Sequence, residues 1–268
     1  LDIVILPRTS EITPGFKVQR LLPFRGRRMV GPFIFFDQMG PELLHAGQRV
    51  DVAPHPHIGL ATVTYLLDGE LFHRDSLGTA VTIRPGEVNW MTAGRGIAHS
   101  ERSPQEMRQR GGAIFGIQSW VALPERQEES DPTFAHHDAG SLPIIEGEGK
   151  RARLIVGNLF GQRSPVETLS ETFYADVHLA PGATLPMPIE QEERALFVVE
   201  GTVAIDADNR EYHAGEMLVF KQGVAVAVTS VGPARVMMLG GAAMEGPRHI
   251  WWNFVSSSRQ RIEQAKAD

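Results

Sequence analysis

The most constraining feature of this chain is its punctuation. Glycine (27) and proline (18) recur at short intervals, separating short runs rich in Val, Ile, Leu, Thr, Tyr and Phe. Residues 62–67 (TVTYLL) run into Asp68-Gly69, and residues 80–83 into Arg84-Pro85-Gly86. Residues 88–92 run into Ala93-Gly94-Arg95-Gly96, and residues 114–123 into Pro124. Such runs, closed by turn formers, predict many short antiparallel strands, as in a sandwich or a barrel. A helix is expected only at the end, where serines 256–258 offer N-caps to the helix formers of residues 259–267.

The pattern occurs twice. Leu66-Leu67-Asp68-Gly69 resembles Val198-Val199-Glu200-Gly201, and Pro85-Gly86-Glu87 resembles Ala214-Gly215-Glu216. Gly86 to Gly94 is eight residues, as is Gly215 to Gly223. Matched glycines mark matched backbone turns, because only Gly enters φ > 0 freely. Two copies of one β-rich unit would account for 268 residues. The join is expected within the polar residues 125–151, giving one domain at 1–135 and a second, with the terminal helix, at 136–268.

Charge and composition narrow the function. Lys plus Arg is 26 against 32 Asp plus Glu, a net charge of -6, which disfavours direct nucleic-acid binding and an anionic-membrane surface. Without cysteine there is no disulfide, thiolate nucleophile, zinc finger or Cys-ligated cluster, so any metal must be held by His and carboxylate. No apolar run approaches the ~20 residues of a membrane span, and residues 1–7 are too short for a signal peptide. A soluble, cytoplasmic protein is the expectation.

The chemistry points to His55-Pro56-His57 and His99-Ser100-Glu101. Residues i and i+2 of a strand face the same way, so each segment aims two side chains at one point. If the two strands face each other, three imidazoles and a carboxylate converge, a donor set that suits iron, copper, nickel or zinc. Three His and one Glu leave open positions, as catalytic rather than structural sites do. The remaining histidines carry less. His73 either lines the pocket or is an exposed strand residue, His136 and His137 fall in the expected linker, and His45, His178, His213 and His249 lack a partner at ligand spacing. Arg95 reads as an ordinary turn arginine, with an anionic substrate as the alternative partner. In the second copy, counting from Gly201 and Gly215 places Met187, Ile189 and Val228 at the ligand positions. None is an imidazole, so that half is expected to be metal-free.

Together, His55-Pro56-His57, the TVTYL run of residues 62–66 and the stretch WMTAGRGIAHSE of residues 90–101 resemble the pirin signature. The segments from Gly31-Pro32-Phe33 to Met39-Gly40-Pro41 and the WVALP of residues 120–124 are similar too. The likeness is strong in the first half and weaker in the second. It implies an all-β bicupin: two antiparallel β-barrel or jelly-roll domains packed face to face, with one metal in the N-terminal barrel. It implies His55, His57, His99 and Glu101 as ligands of one divalent ion, Fe(2+) first, with Ni, Co, Mn, Cu or Zn as alternatives. Where a typical cupin has a ligand Glu, this chain has Ala61 and Thr62, so the site must rely on Glu101.

Several pirins are similar to quercetin 2,3-dioxygenases, which open flavonols with O2. The resemblance thus implies a small aromatic substrate and O2, with Glu101 as catalytic base for the flavonol 3-hydroxyl. Other pirins are metal-bearing transcription co-regulators, so a regulator acting through a protein partner is the alternative. A metal-dependent isomerase is a third reading.

Overall fold

The computed structural model describes residues 1–206, 208 and 210–268. The expected strands form at the expected places: Leu60–Asp68, Ala80–Ile83, Val88–Thr92 and Gly112–Ala122. The terminal helix, Arg259–Ala267, begins where Ser258 accepts a hydrogen bond from the Arg261 amide, an N-cap.

The chain divides into two compact units. One comprises Leu1–Arg8, Pro23–Phe33 and Gly140–Ala243; the other comprises Thr9–Leu22, Ile34–Ala139 and Met244–Asp268. The boundary at residues 139 and 140 lies within the polar stretch where the join was expected. A single cut at 135 nevertheless differs from this division at both ends of the chain. Ile3–Ile5 pairs with Met217–Phe220 in the first unit, whereas the terminal helix belongs to the second. Ile262 of that helix packs on Ile58 and Phe254. Long-range pairing of this kind leaves no local sequence signal.

Both units have the same plan. In the second, a seven-stranded antiparallel sheet runs in the order Thr133–His137, Val88–Thr92, Leu60–Asp68, Gly112–Ala122, Phe33–Leu44, Phe16–Leu22 and Arg8–Thr13. A four-stranded sheet runs Asp51–His57, Ile97–Arg102, Leu71–Asp75 and Ala80–Ile83. The first unit also has a seven-stranded and a four-stranded sheet, with Glu193–Glu200 at the position of Leu60–Asp68 and Ala227–Ser230 at that of Ile97–Arg102. The turn glycines agree: Gly69 and Gly201 both have φ 84. A Cβ at either would lie within 2.4 Å of a backbone oxygen, so each turn also needs glycine for space.

His136 and His137 are not in a linker. They end the strand Thr133–His137, where His136 Nδ1 lies 2.8 Å from Asn89 Oδ1. Among the described residues, no helix is long and apolar enough to cross a membrane.

Candidate metal centre

The site is built on the four-stranded sheet of the second unit, with Ile97–Arg102 between two neighbours. On one side, His99 opposes His55 and Ile97 opposes His57. On the other, His99 opposes Asp75 and Glu101 opposes His73. Each strand therefore contributes an i, i+2 pair to one face: His55/His57, His99/Glu101 and His73/Asp75. Ala53 and Pro54 together oppose Ser100, forming a bulge beside the site. There the Ala53 carbonyl turns to within 2.8 Å of His55 Nδ1.

The structure brings together His55, His57 and His99, whose ligand nitrogens lie within 4.8 Å of one another. Glu101 falls in a second, overlapping group with His99 and His73. His73 is buried behind His99, neither an exposed strand residue nor part of the cavity lining. Asp75 joins it there, and His73-Arg74-Asp75 has the same i, i+2 spacing as His55-Pro56-His57 and His99-Ser100-Glu101.

The orientation of the rings suits a cation. His57 Nδ1 donates to the Asn253 carbonyl at 3.0 Å, and His55 Nδ1 is placed to donate to that of Ala53. Donation from Nδ1 leaves Nε2 of a neutral imidazole as a lone pair. Nε2 of His57 then faces Nε2 of His99 at 3.1 Å. Burial and the neighbouring charge of His55 push the His57 pKa down to about 3, against a small opposing effect of the Asn253 bond. Burial and the charges of His57, His55 and His73 hold His99 well below the usual histidine range. Two buried imidazoles kept neutral, His57 and His99, beside half-buried His55, fit a divalent metal.

Glu101 is held by Thr64, whose hydroxyl lies 2.8 Å from Glu101 Oε1 and 2.9 Å from the Gln118 side chain. A hydroxyl has one proton. Thr64 therefore has two acceptors for one proton, Glu101 Oε1 and Gln118 Oε1, and donates to one of them at a time.

A cavity of about 600 Å³ opens over these groups, with His55, His57, His99 and Glu101 in its lining. Its walls include Phe35 and Trp120, stacked at 4.0 Å, and Trp120 meets the His57 ring edge-on at 5.2 Å. Asn253, the acceptor for His57, sits in the turn between the terminal strands His249–Trp251 and Phe254–Ser256. That hairpin is tied down by buried Glu128, which accepts from Ser256 and Ser257 and pairs with Arg248 at 3.2 Å. Arg95 is mostly exposed and paired with Asp131, in keeping with an ordinary turn arginine.

Residues 15–121 match the pirin family model, and residues 174–268 match that of the pirin C-terminal cupin domain. The chain belongs to the pirin family. It is 49% identical over 271 residues to a pirin-like protein of Caulobacter vibrioides, an alignment covering 100% of this chain and 92% of the relative. The crystal structure of quercetin 2,3-dioxygenase from Acinetobacter baumannii superposes with a TM-score of 0.91 at 32% identity, covering 99% of this chain and 87% of that one. A bacterial pirin from Escherichia coli, solved in complex with nickel(II), shares the fold at a TM-score of 0.70 and 18% identity, covering 90% of this chain and 99% of that one.

In this pirin the second copy of the barrel replaces the imidazoles by apolar side chains. Val228 opposes Leu185, and the Met187 amide bonds to the Val226 carbonyl, the arrangement of His99 with His55 and of His57 with Ile97. The counterparts of His55, His57 and His99 are therefore Leu185, Met187 and Val228, all buried in one core cluster. Counting from Gly201 gave Met187 and Ile189 for the first pair, two residues too far along. The connection from Thr184–Pro186 to Glu193–Glu200 is longer than the one from His57 to Leu60, and Ile189 within it is exposed.

Proposed function

We propose that this pirin is a metal-dependent dioxygenase that cleaves flavonols such as quercetin with O2, using one divalent ion, iron(II) first, held by His55, His57, His99 and Glu101. The observation that carries the reading is the pair of facing Nε2 atoms of His57 and His99, 3.1 Å apart at the edge of a cavity walled by aromatic rings. The relative from Acinetobacter baumannii, which bears the quercetin 2,3-dioxygenase name, supports the substrate class.

The ion supplies positive charge that acidifies a substrate hydroxyl and the redox capacity that O2 chemistry needs. The protein supplies the rest. Phe35 and Trp120 give a flat wall against which a planar ring system stacks. Arg20, 4.4 Å above the Phe35 ring and bidentate to Asp37, lines the same cavity and holds the Phe35 ring in place. Thr64 holds one oxygen of Glu101, leaving the other to take the proton of the flavonol 3-hydroxyl.

Iron-loaded protein, titrated with quercetin without oxygen and then exposed to O2, tests this directly. The expected result is a saturable change in the flavonol spectrum under anaerobic conditions, followed by O2 consumption and release of carbon monoxide. Failure to bind quercetin, together with turnover no faster than that of the metal-free control, overturns the assignment.

A further inference from the structure

Behind His99, on the side away from the cavity, the structure places a second histidine and a carboxylate in line. His99 Nδ1 lies 3.5 Å from His73 Nδ1, and His73 Nε2 lies 3.0 Å from Asp75 Oδ2. Both histidines are nearly inaccessible, and neither His73 nor Asp75 lines the cavity. The ring of His73 is fixed by stacking on Phe134 at 4.6 Å. The other oxygen of Asp75 accepts the Leu77 and Thr79 amides, at 2.9 and 3.0 Å, so the carboxylate cannot turn away.

We propose that Asp75 and His73 form a positioning relay that fixes the protonated nitrogen of His99, so that its Nε2 is presented to the metal as a lone pair. This rests on the metal-site reading above and names residues outside its ligand set. An ionised carboxylate only accepts, so His73 must carry its proton on Nε2. In the neutral imidazole of His73, Nδ1 is then a lone pair, and the proton between the two rings belongs to His99 Nδ1. Nε2 of His99 is left bare, facing the equally bare Nε2 of His57. The opposite polarity would put a proton on His99 Nε2, donated to His57. That arrangement satisfies both rings and closes the site to a cation. Asp75 forbids it, because it would point a His73 lone pair at a carboxylate oxygen 3.0 Å away. His55 and His57 are oriented by backbone carbonyls, whereas His99 depends on this side-chain chain.

Asp75→Asn is the decisive variant. The amide oxygen can keep the two backbone bonds, which turns the amino group towards His73 Nε2. The whole relay then reverses. The experiment has two arms: long-range proton–nitrogen correlation spectra of ¹⁵N-histidine-labelled, metal-free protein, and Co(II) affinity by chelator competition. In the unaltered protein, His99 should be the Nδ1–H tautomer. In Asp75→Asn it should switch to Nε2–H, and Co(II) affinity should fall ~10- to 100-fold, the usual cost of losing an orienting partner. A merely structural Asp75 would lower the unfolding midpoint without switching the tautomer. Finding Nε2–H on His99 in the unaltered protein overturns the relay, whether or not the variant folds. So does an unswitched tautomer with unchanged Co(II) affinity in Asp75→Asn. If the unaltered protein fails to bind Co(II), the metal-site reading falls, and the spectra still decide the relay.

Discussion

His57 and Asn253 are 196 residues apart in sequence, yet the Asn253 carbonyl sits 3.0 Å from His57 Nδ1 and decides which nitrogen of that ring faces the cavity. The carbonyl belongs to the turn of the terminal hairpin, and its hold on His57 joins the last segment of the chain to the centre of the site. Four predictions follow from this geometry and the groups around it.

His57→Ala should abolish metal binding. It removes one of the two facing nitrogens and leaves His99 Nε2 without a counterpart. Affinity should fall by more than the ~10- to 100-fold that loss of a supporting partner costs, and dioxygenase activity should disappear with it. Elemental analysis of the unaltered protein should give one metal per chain, because Leu185, Met187 and Val228 fill the equivalent place in the other unit. Two metals per chain would contradict that replacement.

Glu101→Gln should separate holding metal from using it. The three imidazoles remain, and Thr64 can still donate to the amide oxygen. The base is gone, however, and removing a general base typically costs ~10²- to 10⁴-fold in rate. Metal content and activity per bound metal should be measured on the same samples. Unchanged activity per metal would reduce Glu101 to an anchor.

The metal-free protein should lose stability as pH falls from about 6.5 towards 3. The His57 pKa is lowered from 6.5 to about 3, chiefly by burial, so in that window the unfolded chain takes up a proton that the folded chain refuses. Stability therefore rises with pH through the window and is complete above it. His99, also lowered mainly by burial, acts in the same direction. Urea unfolding midpoints at pH 5 and pH 8 check this, with His57→Phe as the reference. An equal pH dependence in the two proteins removes His57 as a source.

Glu128→Ala should be costly although it lies outside the cavity. It leaves the Arg248 guanidinium buried without its carboxylate and takes an acceptor from Ser256 and Ser257. Breaking a buried pair from one side costs about 3–5 kcal/mol. Because the same hairpin carries Asn253, metal affinity should weaken as well. Chemical denaturation and metal competition on one preparation test both, and a loss below about 1 kcal/mol would show that the pair behaves like an exposed one.

Much of this was written locally. The strand runs, the turn glycines and the i, i+2 pairs His55/His57 and His99/Glu101 are legible because strand geometry repeats every two residues, and a turn depends on a few neighbours. Gly69 and Gly201 share one φ because each answers the same local demand. What the sequence did not show is which strands lie side by side. His73-Arg74-Asp75 became part of the site only because Leu71–Asp75 pairs with Ile97–Arg102. The same holds for Asn253 on His57, for the terminal helix in the unit of the histidine cluster, and for Leu185 as the counterpart of His55. The reason is physical: a side chain's direction along a strand is set by bonds within the strand, whereas its neighbours are set by hydrogen-bond ladders that close over long loops, and those exist only once the chain has folded.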